Sequence, residues 1–377
     1  MKICMLTTIH PPFDTRIFHK ESKSLLKAGH SVTIVAPHDS TDKKNVDGIN
    51  IVTVKKPGSK ILHPITLMRV FIAGLRQDCD VYHCHEPGSL FVCILLKILR
   101  RKKLVYDAHE YFPELIARNS FFPVIIRPII EKICLLEEKV MCIFPDIIIT
   151  VDQVLLNYYQ TLSSEVVIIS NYAIINLYTE KVEKYPHPTI VYAGALTKER
   201  GIFELIQAYE GIIEKIPDAR LLIIGNFIDS VFENYIHDYI DSKMLKGVRF
   251  TGFIPHEQVI VHLKKSAIGA IILQPVERYK KAVPVKLFEY MMSEIPVIIS
   301  DFEFNREIMQ DTNCGIVVDP ENIQQITEAF HWLLDHPVEA KRMGENGRKA
   351  VEEKYNWERM EKRLFELYEG LELTQDR

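Results

Sequence analysis

The chain has 377 residues, of which 47% are hydrophobic and 25% charged, so it has enough apolar side chains for packed domains and is not disordered. This length exceeds one ordinary core and predicts two domains of roughly 150 to 200 residues each. A net charge of -4 argues against nucleic acid as a partner. The first 180 residues are nevertheless slightly basic, which leaves an anionic small molecule or a membrane surface open.

No apolar run is long enough to span a bilayer, and the first residues lack the pattern of a secretory signal. The seven cysteines are scattered, as is typical of reduced thiols. We therefore expect a cytoplasmic protein.

In chain order, short β-rich runs alternate with longer amphipathic runs, the pattern of βα units that build parallel sheets. A strand is predicted at residues 2–8, then a helix at 16–27 ended by Gly29, then a strand at 30–36. Further strands are predicted at 51–54, 81–84, 104–106, 146–151 and 166–170, and helices near 63–77, 88–100, 124–142 and 152–161.

The pattern lapses at residues 176–188, which are polar and end in two prolines, as is typical of a connection between domains. A second alternation follows, with strands at 189–193, 220–225, 248–251, 269–273, 297–300 and 315–318. Helices are predicted near 201–215, 229–242, 256–265, 284–293, 303–309, 321–334, 337–353 and 356–371. The sequence thus predicts two parallel α/β domains, whose ligands bind at the carboxyl ends of strands.

Several familiar motifs are absent from the sequence. No G-x-G-x-x-G follows the first strand, and neither a G-x-x-x-x-G-K-[ST] loop nor a G-x-S-x-G elbow occurs. A dinucleotide oxidoreductase or a P-loop enzyme therefore loses its main support.

The densest polar cluster is residues 78–86. Zinc binding there is disfavoured, because strand alternation puts His83 and His85 on one face and Cys84 on the other. The aspartates at 78 and 80 are best explained as a polar strand entry. His85 and Glu86 fall at the end of the strand and are better candidates for a site.

Three further segments place polar residues next to strands or buried helices. His109 follows a strand and could bind a substrate hydroxyl or shuttle a proton, or could be a turn residue bonded to backbone. Arg200 lies where a strand leads into a helix, an arrangement that suits a diphosphate or a solvated turn. Lys286 and Glu289 share one face of an apolar helix, as a ligand site or as a structural ion pair.

Together these segments resemble the family 4 retaining glycosyltransferases of the GT-B fold, in particular bacterial members that build capsule, O-antigen or exopolysaccharide. The matching segments are residues 14–18, 27–32, 82–86, 106–110, 200–201, 287–291 and 295–297. The resemblance implies two Rossmann-like domains, 1–180 and 181–355, that face each other across a cleft, with a C-terminal helix at 356–377 that returns to the first.

The resemblance also implies that the second domain binds a UDP-, GDP- or ADP-sugar. Arg200 and Lys286 would bind the diphosphate, Glu289 the ribose, and Phe253 and Ile254 would border the base. Further donor-binding residues would be Gly194, Gly225, Glu277, Lys281 and Leu287. His109, Arg200 and Glu289 would be the catalytic set, and the leaving phosphate would accept the acceptor's proton, with no metal ion and no cofactor.

The acceptor side would be the first domain, through His10, Asp14, Arg16, His85 and Glu86. Residues 100–103 and 121–127 could contact a membrane that carries a lipid-linked acceptor, or could be ordinary solvated segments. Three positions depart from the family pattern: Lys281 replaces the first glutamate of a pair, Ala195 an arginine and Glu294 a glycine. These differences bear on recognition of the donor sugar more than on the fold.

We therefore expect a metal-independent retaining enzyme that transfers a hexosyl unit to a glycan or lipid-linked oligosaccharide of a surface polysaccharide. Two alternatives remain open: a nucleotide-sugar 2-epimerase of the same fold, and a non-catalytic module that binds nucleotides or glycans. The sequence leaves the oligomeric state open.

Overall fold

The computed structural model describes residues 1–117, 123–163, 165–281 and 283–373. The chain forms two units, Met1–Asn171 with Glu358–Arg377, and Tyr172–Trp357. Residues 121 and 122 of the expected membrane-contacting segment lie outside the described residues.

The first unit is built on a single sheet. Its strands are β1 (Lys2–Leu6), β2 (Ser31–His38), β3 (Asp42–Val46), β4 (Ile49–Lys55), β5 (Val81–Cys84), β6 (Lys103–Ala108), β7 (Ile147–Thr150) and β8 (Val166–Ile168). They lie in the order β3-β4-β2-β1-β5-β6-β7-β8, and every neighbouring pair is parallel except β3 and β4. The central strands are apolar and buried, as is usual when helices cover a parallel sheet.

Helices connect these strands. They are α1 (Lys23–Lys27), α2 (His63–Leu75), α3 (Pro87–Arg100), α4 (Phe112–Ala117), α5 (Arg127–Met141) and α6 (Gln153–Gln160). A π-helical segment, Thr15–Ser22, runs directly into α1, and short 3₁₀ turns occupy Lys60–Leu62 and Val124–Ile126. Gly29 has φ 86°, as expected of the residue that ends the first helix.

The second unit contains a parallel sheet in the strand order β11-β10-β9-β12-β13-β14. Its strands are β9 (Thr189–Ala193), β10 (Arg220–Ile224), β11 (Val248–Phe250), β12 (Ile268–Ile271), β13 (Val297–Ser300) and β14 (Gly315–Val318). Its helices are α7 (Ile202–Lys215), α8 (Ser230–Ser242), α9 (His256–Lys265), α10 (Glu277–Lys280), α11 (Val285–Met292), α12 (Glu303–Thr312), α13 (Ile323–Asp335) and α14 (Pro337–Glu353). Short 3₁₀ turns lie at Ile175–Tyr178 and Lys198–Arg200.

The last helix, α15 (Trp357–Leu373), belongs almost entirely to the first unit. The first unit ends at Asn171, before the expected boundary at residue 180. The reason is packing, since Ala173 and Tyr178 are buried in a core of the second unit. Within the described part of the chain, no helix is long and apolar enough to cross a membrane.

Candidate active site

Three glycines mark the loops after β9, β10 and β11, at the carboxyl edge of the second sheet. Gly194, Gly225 and Gly252 all have positive φ, and the Gly225 N–H donates to the Gly252 carbonyl at 3.0 Å. A Cβ on Gly225 would lie 1.9 Å from the Gly194 carbonyl oxygen, so only glycine fits there. The absence of side chains at these positions therefore lets the loops pack closely at this edge.

Arg200 is held by the turn that joins β9 to α7. It ends the 3₁₀ turn Lys198–Arg200, and Gly201 follows with φ 69°. A Cβ on Gly201 would lie 1.7 Å from the Ile272 carbonyl oxygen, so the close approach of this turn to the chain after β12 requires glycine. Arg200 is thereby fixed at the N-terminus of α7, where an anion is favoured.

Two cations converge at Gly194. A Cβ built on Gly194 would lie 2.9 Å from Lys286 Nζ and 3.1 Å from Arg200 Nη1. The Lys286 ammonium also lies 4.0 Å from the centroid of the Tyr192 ring. The predicted pair of diphosphate-binding cations is thus brought together at one loop.

The electrostatics of this pair favour an anion. Burial and the neighbouring Arg200 lower the pKa of Lys286 well below its usual value. Among the described residues, Lys286 Nζ is buried without a hydrogen-bond partner. Burial alone would lower the pKa of Arg200, but Tyr192 and Tyr279 raise it, so its charge is retained. A diphosphate would supply the missing acceptor oxygens.

Glu289 lies one helical turn from Lys286 on α11 and has a different partner. Its Oε1 lies 2.9 Å from His256 Nε2, at the start of α9. The ion pair between Lys286 and Glu289 that the sequence left open is not among the contacts of the described residues. His256 was not predicted; its one sequence signal is its position directly after Pro255, at the end of the loop that follows β11.

The other expected donor-binding residues differ in their surroundings. Phe253 is 81% exposed, and its N–H donates to Asn226 Oδ1 at 2.9 Å, while Ile254 beside it is half-buried. Glu277 lies 3.9 Å from Lys281 in an exposed ion pair on α10. Leu287 is fully buried in the core, where its side chain packs, and its expected part in donor binding stays a prediction.

In the first unit, Asp14 begins the π-helical segment. Its carboxylate accepts hydrogen bonds from the N–H groups of Arg16 and Ile17 at 2.8 and 3.1 Å and lies 3.4 Å from His10. Burial opposes the ionised form, but His10 and these N–H groups hold the pKa of Asp14 well below its usual value. Both Asp14 and His10 are half-buried, and their acceptor roles stay predictions.

Arg16 forms the centre of a buried polar network. Its guanidinium binds Asp107 through two hydrogen bonds, of 2.5 and 2.9 Å, and lies 3.0 Å from Glu21. Burial alone would raise the pKa of Asp107, but Arg16 holds it well below its usual value. Burial and the Asp107 carboxylate raise the pKa of Glu21 well above its usual value, although the Arg16 guanidinium opposes this shift.

Two histidines complete this network. His85 Nδ1 lies 3.2 Å from Asp107 and the ring stacks on His83 at 4.7 Å between centroids. His83 Nδ1 lies 2.8 Å from the hydroxyl of Tyr368 on α15. Burial lowers the pKa of both histidines, so both are neutral.

The structure corrects three acceptor-binding expectations. Arg16, His85 and Glu86 are 3%, 0% and 2% exposed, so they do not present atoms to an acceptor in this conformation. The Glu86 carboxylate instead accepts hydrogen bonds from the hydroxyls of Thr7 and Thr8 at 3.0 and 2.8 Å and holds the loop after β1. Arg16 and His85 instead both contact the Asp107 carboxylate.

His109 lies at the outer side of the network. Its Nδ1 is 3.7 Å from the Asp107 carboxylate, and its ring centroid is 5.3 Å from that of His10. The side chain is 14% exposed. His10 and His109, both partly accessible, therefore lie side by side, after the carboxyl ends of β1 and β6.

Four residues of this network have side chains of the kinds that bind metal ions. Glu21, His83, His85 and Asp107 offer ligand atoms within 4.8 Å of one another, whereas the nearby cysteines are free and buried. The Arg16 guanidinium lies 2.5 Å from Asp107, so a cation already neutralises one carboxylate of this group. The aspartates at 78 and 80 instead contact Lys2.

Comparison with known families agrees with this architecture. Residues 15–172 match the model described as Glycosyltransferase Family 4, and residues 178–350 match the model described as Glycosyl transferases group 1. Together the two models cover most of the chain, which belongs to the family 4 glycosyltransferases with the GT-B fold.

Curated relatives are distant. An uncharacterized glycosyltransferase of Methanocaldococcus jannaschii is 25% identical over 98% of both chains. Phosphatidyl-myo-inositol mannosyltransferase of Mycobacterium tuberculosis (strain H37Rv) is 24% identical over 90% of this chain and 88% of its own. Spore coat protein SA of Bacillus subtilis is 28% identical, over 48% of each chain.

Solved structures show the same fold. Sucrose-phosphate synthase from Thermosynechococcus elongatus has a TM-score of 0.80 at 17% identity over 99% of both chains. HepE of Anabaena in complex with UDP-glucose has a TM-score of 0.72 at 14% identity over 98% of this chain and 100% of its own.

Proposed function

We propose that this protein transfers a hexosyl unit from a nucleotide-diphosphate sugar to a glycan or lipid-linked acceptor, with retention of configuration. The observation that carries the proposal is the convergence of Arg200 and Lys286 on Gly194, with the Lys286 ammonium lacking a hydrogen-bond acceptor among the described residues. The complex of HepE with UDP-glucose, in the same fold, supports a nucleotide-sugar as the donor.

The chemistry follows from the charges. Departure of a nucleoside diphosphate develops negative charge on the leaving phosphate, and fixed cations in a desolvated site stabilise that charge. Arg200 and Lys286 supply two such cations, Glu289 binds the ribose hydroxyls, and the phosphate oxygen accepts the proton of the acceptor hydroxyl. No carboxylate base and no metal ion are needed in this scheme, and His109 takes part in transfer from the first unit.

The setting of the reaction is also a proposal. We place the reaction in the synthesis of a surface polysaccharide, with peripheral contact at the inner face of the cell membrane. His10 and His109, which are half-buried, would be partners for an acceptor hydroxyl. The mannosyltransferase from Mycobacterium tuberculosis, named for a phosphatidylinositol substrate, shows that such acceptors occur among the relatives.

The test is transfer from UDP-, GDP- and ADP-hexoses to a panel of glycan and lipid-linked acceptors, followed by mass spectrometry. Replacement of Arg200 or Lys286 by Ala is expected to lower the transfer rate by about 10²- to 10³-fold, because each removes a cation that stabilises the leaving group. Glu289→Ala should weaken donor binding, and His109→Ala should lower transfer. A chelator such as EDTA should leave the rate unchanged.

Lys246→Ala is the matched control, because Lys246 is an exposed cation of the same unit. Full activity in both Arg200→Ala and Lys286→Ala would refute the assignment of the site. Conversion of the donor to an epimer without acceptor would instead identify an epimerase, and donor binding with no turnover would identify a binding module.

A further inference from the structure

Three helices of the first unit cover the same face of its sheet. Val70 of α2, Leu90 of α3 and Met141 of α5 belong to one buried cluster with the strands, and α3 packs between α2 and α5. Their outer surfaces form what we call the helical face, made of residues 61–76, 91–103 and 124–144. This face is independent of the donor site described above.

An apolar stripe runs along the outer side of α5, beside the exposed Lys132, Glu137 and Lys139. Ile129, Ile133, Leu136 and Val140 follow a spacing of three and four residues and are 59%, 56%, 65% and 52% exposed. Ile125, in the turn before α5, is 85% exposed, so the stripe extends beyond the helix.

The inner side of the same helix carries a carboxylate. Glu138 is buried, and it accepts hydrogen bonds from the hydroxyls of Tyr158 and Tyr159 at 2.7 and 2.6 Å. A helix that faced only water would place its aliphatic stripe inward and its glutamate outward. The exposed stripe of α5 is therefore left without an apolar partner among the described residues of the first unit, while a carboxylate is buried beneath the helix.

The neighbouring helices extend the apolar surface. On α3 the exposed apolar side chains are Phe91, Leu95, Ile98 and Leu99. On α2 they are Met68 and Ile72, and Ile61 and Leu62 are exposed in the turn before α2. A surface with this many adjacent apolar residues is unusual for a protein that contacts only water. In the second unit, by contrast, exposed residues such as Val231 and Val338 lie on separate helices, α8 and α14.

The charges of the helical face are basic. Residues 61–77 and 87–106 contain no Asp or Glu, and their basic residues are Arg69, Arg76, Lys97, Arg100, Arg101, Lys102 and Lys103. On α5, Arg127, Lys132 and Lys139 balance three glutamates, one of which is the buried Glu138. Two copies of one basic face would repel each other, whereas an anionic lipid surface attracts it.

We propose that the helical face docks on the surface of an anionic lipid bilayer, with the α5 stripe inserted among the acyl chains and the basic residues at the headgroups. Aliphatic side chains on one side of a helix, flanked by Lys and Arg, are the features of interfacial membrane binding. The proposal rests on the membrane contact proposed above and names the surface that makes it, but it does not depend on which sugar or acceptor the enzyme uses.

The test is co-sedimentation of the full chain with vesicles of phosphatidylcholine alone and of phosphatidylcholine with about 30% phosphatidylglycerol. We expect binding to the anionic vesicles, weakened by high salt because the charges at the headgroups are screened. Equal or absent binding to both vesicles would overturn the proposal.

Variants separate the contribution of the apolar stripe to vesicle binding from that of the basic residues. Ile133→Gln with Leu136→Gln should weaken binding to anionic vesicles at least tenfold, because two inserted side chains are lost. Arg101→Gln with Lys132→Gln should weaken it about fivefold for each charge removed. The control, Val231→Gln with Val338→Gln, replaces two aliphatic residues of the second unit that are 75% and 76% exposed, and it should bind as the wild type does.

Thermal unfolding midpoints and light scattering accompany each variant. Equal midpoints exclude unfolding as the cause of lost binding. If the wild type is a dimer that Ile133→Gln with Leu136→Gln converts to a monomer, and neither binds vesicles, then the face joins two copies and the proposal is refuted.

Discussion

The Lys286 ammonium lies beside the Tyr192 ring and Arg200, where burial lowers its pKa. A buried cation without a hydrogen-bond acceptor costs free energy, and nearby Arg200 adds repulsion. Such a side chain destabilises the unliganded protein and becomes favourable only when an anion binds. Stability and donor binding should therefore respond in opposite directions when Lys286 is replaced.

Lys286→Met is expected to raise the unfolding midpoint of the free protein by roughly 2 to 4 °C, which corresponds to about 1 kcal/mol. The same change should weaken UDP binding at least tenfold. The pKa of Lys286 is lower in the folded protein than in the unfolded chain, so the wild type becomes more stable as rising pH removes the buried charge. The stability gained by Lys286→Met should therefore shrink as the pH rises towards about 10. Thermal unfolding with and without UDP measures both effects.

Lys246→Met is the comparison, since it removes an exposed cation and should change neither quantity. A Lys286→Met protein that is less stable than the wild type and binds UDP normally would show that Lys286 serves packing alone.

The sequence predicted part of this site. Lys286 and Glu289 share a helix face, so their neighbourhood follows from helical spacing. Helical spacing does not predict their partners. Tyr192 contacts Lys286 and His256 contacts Glu289, but both lie far away in the chain and come close only when the sheet of the second unit is assembled.

At the scale of elements, the predicted positions of strands and helices agree well with the structure, because hydrophobic periodicity sets them. The antiparallel strand β3 was missed, since its residues are mostly exposed and polar. Helix α4 was also missed, because it is only one to two turns long. The helix predicted at 16–27 exists, but its first part is π-helical.

The π-helical geometry explains why the buried network was not foreseen. Arg16 and Glu21 are five residues apart, a spacing that does not align side chains in an α-helix but does so in a π-helix. The 3.0 Å approach of their side chains depends on this geometry. Asp14 caps the segment and so fixes where it begins.

Asp14→Ala is therefore expected to lower the free energy of unfolding by about 1 kcal/mol, because two N–H groups lose their acceptor. Asp14→Asn should lose less, since its side-chain oxygen still caps the helix. The depressed pKa of Asp14 means that the ionised form stabilises the fold above about pH 4, and this contribution is lost as the pH falls. Urea unfolding at several pH values measures the difference, and equal losses in both variants would contradict the capping role.

At the scale of the whole molecule, the two-domain α/β architecture follows from the sequence, but the boundary does not. Residues 176–188 look like a linker, yet Tyr178 is buried in the second core. Composition does not show such burial, because a polar segment with one buried tyrosine resembles an exposed one. The C-terminal helix groups with the first unit because it packs there, through Tyr368 on His83 and Glu361 on Ser24 at 2.9 Å.

Because α15 packs on the first unit, a cavity made in α15 should destabilise the first unit rather than the second. Leu364 of α15 and Leu333 of α13 are 0% and 1% exposed, so replacement of either by Ala should cost about 2 to 5 kcal/mol. Hydrogen exchange should rise in β1, β2 and β5 for Leu364→Ala, and in β9, β10 and β13 for Leu333→Ala. The two variants control for each other, since they delete the same side chain in different cores. Faster exchange in the second sheet after Leu364→Ala, with the first sheet still protected, would show that the last helix stabilises the second unit instead.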